Sequence, residues 1–203
     1  MTNRIRNTTA QIIYRLWEND SPNKAALAAL RNSKTLLSRN ASKIWPLFLS
    51  TMDKKDLSQT GSLTIGEQAI FAALHCYALY QQGKTVNLNA AVDYKNDAKQ
   101  DSGQNLFAAL AYLRADESSR KAIDRRVQAV FESTNIASVT NSISHLVSIL
   151  HSSSFQGKID FAQLSQDLYY FQLSSENARR ICLKWGQQYY SISTENENQE
   201  KGE

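Results

Sequence analysis

Three histidines and two cysteines are the residues of this chain best suited to acid–base catalysis, nucleophilic catalysis or metal binding. They are His75, His145, His151, Cys76 and Cys182. No histidine has a partner at a metal-binding spacing such as HExxH, and the cysteines do not form a paired ligand motif. The phosphate-binding motifs GxxxxGKS/T and GxGxxG and the nucleophile motif GxSxG are also missing from the sequence. We therefore expect no catalytic residue, no metal site and no cofactor.

The strongest cationic signal is the run SSRKAIDRR, residues 118–126. Lys121 and Arg125 lie one helical turn apart and are expected to point outward together. Arg120 and Arg126 are expected to flank the apolar stripe of the same helix. Guanidinium groups grip phosphate oxygens, so the run is a candidate for binding nucleic-acid backbone. The alternative is a solvated helix face whose charges pair with nearby acidic residues, and spacing alone favours neither.

A second cationic pattern occurs near the start of the chain, in the helix-forming stretch KAALAALR. Lys24, Arg31 and Lys34 fall within about 80° of one another at 100° per residue. They make a narrow cationic strip if the helix extends that far, while Leu27 and Leu30 face the core. This strip is the second candidate for contacts with phosphate groups.

The stretch from residue 159 to 190 predicts two short amphipathic helices joined by a tight polar turn. Asp160 is placed to cap the first helix. The second helix carries Arg179, Arg180 and Lys184 outside its apolar stripe. These three cations are lower-ranked phosphate candidates, because only their exposure on a helix supports them.

Helix breakers are scarce, since the 203 residues include seven glycines and two prolines. This composition favours long helices over a β fold with many turns. We predict an all-α protein of about eight to nine helices in two small bundles. The N-terminal bundle covers residues 1–95 and the C-terminal bundle covers residues 104–192. A polar loop or linker is predicted at 84–103 and a disordered acidic tail at 193–203.

The formal net charge of +4 is unevenly distributed along the chain. Residues 1–194 carry 22 basic and 15 acidic side chains, whereas residues 195–203 carry one basic and four acidic. A basic body favours a polyanion such as nucleic acid as partner, although mild excesses of lysine and arginine also occur without one. The sequence lacks both a signal-peptide pattern and an apolar run of about 18 residues. We expect a cytoplasmic protein with no membrane partner.

Four stretches in a fixed order carry a likeness to a known family. They are AALAALRNS, then IWPLFLS, then QAIFAALHCYALYQQGK, and finally the series RRVQAVFES, ISHLVSIL, IDFAQLSQDLYYF and WGQQYY. Together they run from residue 25 to residue 190. Their order and spacing resemble the CasB family, the small subunit of the type I-E CRISPR effector complex Cascade.

The resemblance implies an all-helical protein of antiviral defence without enzymatic activity. In that family, two copies of the subunit sit in a ribonucleoprotein complex beside the other Cascade subunits, and another protein cuts the DNA. The implied nucleic-acid partners are the guide RNA, the target DNA strand paired with it and the displaced DNA strand of the R-loop. Because base pairing supplies sequence recognition, the subunit is expected to hold backbone phosphates.

Matching positions in the family pattern imply roles for particular residues. Arg31 and Lys34 correspond to the basic end of the family's early helix, and Arg125–Arg126 to its mid-chain arginine pair. Lys84 follows the glycine that ends a helix, as in the family pattern. The chain departs from the pattern at Ser144–His145, where members often carry an arginine pair. That phosphate contact is therefore unassigned in this chain.

The residues and the resemblance together predict ten nucleic-acid-binding residues: Lys24, Arg31, Lys34, Lys84, Arg120, Lys121, Arg125, Arg126, Arg179 and Arg180. Two other functions stay open. The first is a helical protein–protein scaffold that makes no direct contact with nucleic acid and whose positive charge only aids solubility. The second is a small helical enzyme that uses His145 or His151.

Overall fold

The computed structural model describes residues 3–18, 21–90 and 103–191, and helices occupy most of them. Strands β1 (Trp17–Glu18) and β2 (Ser21–Pro22) form a short antiparallel pair. Three 3-10 helices cover Arg39–Lys43, Lys54–Asp56 and Tyr112–Ala115. The described residues form nine α-helices, which confirms the all-α prediction: α1 Arg4–Arg15, α2 Lys24–Arg31, α3 Trp45–Thr51, α4 Ile65–Tyr80, α5 Leu106–Ala111, α6 Glu117–Glu132, α7 Ile136–Ser152, α8 Phe161–Phe171 and α9 Ser175–Tyr190.

Side-chain caps begin several of these helices. The Thr64 hydroxyl accepts from the backbone N–H of Glu67, and the Glu67 carboxylate accepts from that of Thr64, which makes a capping box for α4. Asp160 and Ser174 cap α8 and α9 by accepting a backbone N–H three residues later. Beyond the end of α4, Gly83 has a φ of 72°, which glycine adopts without steric cost.

Helix α8 lies at the centre of the packing, in contact with α1, α4 and α9. Its apolar residues Phe161, Leu164, Leu168 and Phe171 are all buried. Helix α4 also contacts α2 and α7 and buries most of its circumference. The buried apolar side chains of these helices form one contiguous cluster. The core therefore joins helices from the beginning and the end of the chain.

The division of the chain into bundles at 1–95 and 104–192 stays a prediction. Helix α8 contacts helices on both sides of that division. The predicted tail at 193–203 and most of the predicted 84–103 loop lie outside the described residues. Among the residues that the structure does describe, no helix has the length and apolar content of a membrane-crossing segment.

A buried carboxylate links α8 to α9. Asp167 Oδ1 accepts from Lys184 Nζ at 2.7 Å and from Gln163 Nε2 at 2.8 Å. Its Oδ2 accepts from the indole N–H of Trp185 at 3.0 Å. A buried charge is tolerated when it is paired and hydrogen-bonded in this way. Lys184 therefore has a structural partner and is not free to hold a phosphate.

Backbone hydrogen bonds join three distant segments beside the start of α8. The N–H of Ile159 donates to residue 88 and its carbonyl accepts from residue 90, both at 3.0 Å. On the other edge, the N–H of Gln104 donates to residue 158 and its carbonyl accepts from residue 160, also at 3.0 Å. We call residues 88–90, 103–104 and 158–160 the clasp. It holds Ala90 and Gly103 side by side.

The clasp predicts that Gly103 tolerates no side chain. A Cβ there would overlap the side chain of Ala90 and lie 3.4 Å from the carbonyl oxygen of Lys158. We expect Gly103→Ala to lower the free energy of unfolding by about 1–3 kcal/mol, because an added methyl in a packed site forces the backbone to shift. Urea unfolding measures the effect.

Gly186→Ala is the matched control, because a Cβ at Gly186 would meet Phe131 at an ordinary 3.8 Å. Alanine is also favoured over glycine inside a helix by roughly 0.5–1 kcal/mol, so this variant should match or exceed the stability of the wild type. If Gly103→Ala unfolds at the same urea concentration as the wild type, the clasp geometry is wrong.

Candidate nucleic-acid interface

Helix α7 separates two surface grooves. The α4–α7 groove, of about 820 Å³, is bounded by α4, α7 and the segment at the end of α2. The α6–α7 groove, of about 910 Å³, is bounded by α7, α6 and the 3-10 helix that precedes α6. His145 and Ser148 of α7 line both grooves. A ligand that lies across α7 would therefore meet both.

Both cations of the α4–α7 groove come from the end of α2. Arg31 is the last residue of that helix and is half-buried, while Lys34 lies beyond it and is exposed. Because the helix ends before Lys34, the predicted strip of Lys24, Arg31 and Lys34 does not form on one helix. Arg31 and Lys34 nevertheless line the same groove. In the described parts of the chain, neither forms an ion pair with a carboxylate.

Apolar side chains supply most of the surface of the α4–α7 groove. Phe71, Ala72 and Leu79 of α4 and Ile136 of α7 supply apolar side chains. Of the described residues that line the groove, none is aspartate or glutamate. An anionic ligand would therefore meet two cations and no opposing charge there.

Short side chains keep the α7 ridge between the grooves low. Thr140, Ser144, Ser148 and Ser152 follow one another every four residues. Each hydroxyl donates to a carbonyl of its own helix, at distances from 2.7 to 3.0 Å. Because their protons are used within the helix, these hydroxyls present short, neutral surface. His145 is exposed beside them.

Arg126 supplies the cation of the α6–α7 groove. Its Nη1 donates to the carbonyl of Ala122 one turn earlier, at 3.1 Å. The groove also contains Asp116, which caps α6. Hydrogen bonds from Ser118 lower the pKa of Asp116, so this carboxylate stays charged at neutral pH. The α6–α7 groove is therefore less favourable to an anion than the α4–α7 groove.

Lys121 and Arg125 form a separate cationic strip on α6, and both are exposed as expected. Helical geometry places them about 100–140° around the axis from Arg126, and they line neither groove. Asp124, an acidic neighbour in the same run, instead pairs with Arg114, with Nε 2.9 Å from Oδ1. Within the described residues, no carboxylate lies within 4 Å of Lys121 or Arg125. Local pairing with Asp124 therefore does not neutralise them.

The remaining predicted cations are outside the grooves. Lys84 donates to a glutamine side chain at 3.0 Å, and Arg120 donates to a backbone carbonyl at 2.8 Å. Arg180 forms an ion pair with Glu176 at 2.6 Å, which reduces the charge that it can offer to a ligand. Five predicted residues besides the α6 strip line neither groove: Lys24, Lys84, Arg120, Arg179 and Arg180.

His75 lies on the α4 wall of the α4–α7 groove. Its Nδ1 is 2.8 Å from the carbonyl oxygen of Leu30. Because a carbonyl oxygen only accepts, this contact assigns the proton to Nδ1 and leaves Nε2 as an acceptor. Burial lowers the pKa of His75, since desolvation disfavours the imidazolium ion. His75 therefore adds a neutral hydrogen-bonding group to the groove.

The histidines and cysteines do not assemble a metal site in the described residues. No group of three or more His, Cys, Asp or Glu side chains there could hold a metal ion. His151 Nδ1 lies 3.1 Å from the carbonyl oxygen of Tyr80. Burial raises the pKa of Cys76 to about 12, which keeps its thiol protonated and unreactive at neutral pH.

The family model for CRISPR-associated protein Cse2 matches residues 26–190, most of the chain. The chain belongs to the Cse2 family. Two solved structures are similar to this Cse2 protein: CasB from Thermobifida fusca, with a TM-score of 0.64 and 22% identity, and a Cse2-family protein from Thermus thermophilus, with 0.61 and 21%. Each comparison covers 92% of this chain and 97% of the other. A search of curated proteins gave no match.

These findings confirm the family that the sequence motifs predict, and the two structural likenesses support the fold. The departure from the expected family pattern, at Ser144–His145, lies on α7. Both residues line the α4–α7 groove, and His145 also lines the α6–α7 groove. In this Cse2 protein, the ridge between the cations therefore carries a short hydroxyl and an imidazole at these positions.

The sequence predicts the cations of this surface but misses the neutral residues that shape it. Gln68, His75 and Asn141 meet in one groove because α4 packs against α7. Nothing in the local sequence around each of them indicates that contact. The four-residue spacing of small hydroxyl side chains along α7 is a sequence pattern that indicates a low ridge.

The lowered pKa of His75 makes the stability of the fold depend on pH. The unfolded chain binds a proton at His75 near pH 6.5, whereas the folded chain resists it. The contribution of His75 to the free energy of unfolding is therefore complete above about pH 6.5. It decreases as the pH falls below that value. We expect the Tm of the wild type to fall between about pH 7.5 and 5.5, and that of His75→Gln to fall less.

Thermal unfolding followed by circular dichroism at both pH values measures the difference. The glutamine amide can still donate to the carbonyl of Leu30, so the variant removes the titrating ring while keeping a donor. Equal losses of Tm in the two proteins would contradict the assignment.

Proposed function

We propose that this Cse2 protein is the non-catalytic small subunit of a type I-E CRISPR RNA-guided complex, and that it holds nucleic-acid backbone on the face that carries the two grooves. Its partners are the other Cascade subunits, a second copy of itself, the guide RNA, and the target and displaced DNA strands. Its role is to stabilise the R-loop while another protein cuts the DNA. Membership of the Cse2 family supports the proposal that the protein is a subunit of a CRISPR complex. The cations of the grooves support the proposed contact with nucleic-acid backbone.

One observation carries the proposal: Arg31, Lys34 and Arg126 flank the low α7 ridge from both sides. Arg31 ends α2, Lys34 lies just beyond it, and Arg126 belongs to α6, far away in the sequence. In the described residues none of the three has a carboxylate partner. Cations that converge without partners repel one another, so their convergence favours an external anion. A backbone with regularly spaced phosphates provides several such anions at once.

The proposed contact tolerates any sequence. Guanidinium and ammonium groups bind phosphate oxygens, which every nucleotide carries. Base pairing between guide and target supplies the recognition of sequence. Each phosphate that is neutralised releases counterions, so log affinity falls with log salt by about 0.7–0.9 per contact.

The α6 strip is a second cationic surface, separate from the grooves. Lys121 and Arg125 are exposed and lack a carboxylate partner in the described residues, so we assign them a further backbone contact. The other candidates have a lower rank, because Arg180 is paired with Glu176 and the rest lie outside the grooves.

Neutralising the groove cations tests the proposal in the complete RNA-guided complex. We expect the triple variant Arg31→Ala/Lys34→Ala/Arg126→Ala to reduce the slope of log affinity for target DNA against log salt by about 2–3, since three phosphate contacts are lost. The loss of affinity should be greatest at low salt, where counterion release contributes most. DNA binding measured over a series of salt concentrations gives both quantities.

A control with the same loss of charge separates local contacts from net charge. Lys43, Lys54 and Lys55 are exposed and line neither groove. Their triple alanine variant should keep the wild-type slope. If the two triple variants behave alike, the grooves make no phosphate contact and the scaffold function becomes the better account.

A separate observation favours contacts with protein neighbours as well. Leu183 and Tyr190 of α9 are 65% and 42% exposed, and they line an apolar depression together with Phe131 of α6. Exposed apolar patches mark protein interfaces more often than ordinary surface. A scaffold that contacts only other subunits here would leave the R-loop lifetime unchanged in the groove variant and depend on Leu183 for assembly.

A further inference from the structure

We propose that the α4–α7 groove binds one unpaired base of a single-stranded nucleic acid while Arg31 and Lys34 hold the adjacent phosphate. This inference rests on the proposed backbone contact and adds a subsite to it. The subsite accepts a base as a flat apolar body and requires no particular sequence. It explains features of the groove that phosphate binding leaves unused.

The first such feature is the apolar surface. The volume of about 820 Å³ lies within the range of roughly 300–1,000 Å³ for small-molecule sites. Phe71, Leu79 and Ile136 line it with apolar side chains. A planar base gains free energy when it leaves water for such a surface, whereas a phosphate loses it. A nucleic acid that contacted the protein only through its phosphates would therefore leave these apolar walls uncovered.

The second feature is a set of neutral polar groups that can meet the edge of a base. His75 offers Nε2 as an acceptor, because its Nδ1 is bonded to a backbone carbonyl. Gln68 donates its amide N–H to the carbonyl of Leu63 at 3.1 Å, and its amide oxygen has no partner in the described residues. The side chain of Asn141 has none there either. Donors and acceptors together suit any base, because base edges carry both.

The third feature is the position of the charges. Both cations belong to the short segment 31–34, on one wall, and the opposite wall on α7 carries none. A nucleotide has the same asymmetry, with one anionic phosphate beside one flat apolar ring. An acidic amphipathic helix would instead present charges along the whole groove, so the distribution favours the nucleotide.

The mouth of the groove is also suited to a flat ligand. Ser144 is short and its hydroxyl is bonded within α7 at 2.7 Å, so it leaves the opening clear. His145 is exposed at the same edge and offers a ring on which a base can stack. Long side chains at these two positions would crowd the opening.

The test compares two labelled single strands of equal length with the full-length protein at low salt. One strand carries thymine at every position and the other is abasic throughout. Both carry the same number of phosphates, so backbone contacts contribute equally to their affinities. We expect the wild type to bind the thymine strand about tenfold more tightly, the scale of one stacked base.

Variants that fill the groove without changing charge identify the subsite. Ala137 is exposed on the α7 rim of the groove, and Ala137→Leu should abolish the preference by weakening only the thymine strand. Ala72→Leu fills the groove from α4 and should act in the same way. The matched control is Ala129→Leu, which adds the same side chain at an exposed position of α6 outside both grooves and should keep the preference.

The outcomes separate this inference from the proposed function. Equal affinity of the wild type for both strands, with affinity lost in Arg31→Ala/Lys34→Ala, overturns the base subsite and leaves the backbone contact standing. No binding of either strand by the wild type overturns the base subsite, whereas the backbone contact is decided by the salt titration of the complete complex. Binding of an acidic helical peptide that Ala137→Leu weakens, without any preference between strands, assigns the groove to a protein partner instead.

Discussion

The rest of the structure depends on how the backbone around Ile159 is paired. A buried backbone segment must place its N–H and C=O groups in hydrogen bonds, and residues 158–160 do so with the chain on both edges. These bonds determine where α8 begins, with Asp160 as its cap and Arg6 paired to the same carboxylate at 2.6 Å. Once α8 is held there, its buried apolar residues pack against α1, α4 and α9. The core is built by contacts between segments that are distant in the sequence.

The grooves are a consequence of that core. Helix α4 contacts α8 on one side and α7 on another, so the wall of the α4–α7 groove belongs to a buried helix whose position is fixed. The positions of the cations are determined by their buried neighbours in the sequence. Arg31 follows the fully buried Leu30, and Arg126 precedes the fully buried Val127. Because each apolar neighbour must point into the core, the adjacent guanidinium group is directed toward the surface. The protein can therefore present unpaired positive charge at little cost to the packing.

Local patterns in the sequence predict the helices and the family. They do not predict contacts between residues that are far apart in the chain. The cap of α8 by Asp160 is predicted because both partners of that hydrogen bond lie within one turn. The clasp has no such signature, since backbone groups of any sequence can form it. The cations of the site are predicted, but the groove is not, because Lys34 joins Arg31 through a loop after the helix ends. The pairing of Asp124 with Arg114 is likewise determined by packing rather than by spacing.

The central claim is that nucleic acid lies against the grooves, and the chemical reactivity of Lys34 tests it most directly. Lys34 and Lys55 are both exposed, but only Lys34 lines a groove. Acylation of lysines in the assembled complex, followed by mass spectrometry, measures their access with and without target DNA. The account predicts that DNA protects Lys34 several-fold and leaves Lys55 unchanged. Unchanged reactivity of Lys34 on DNA binding would contradict it.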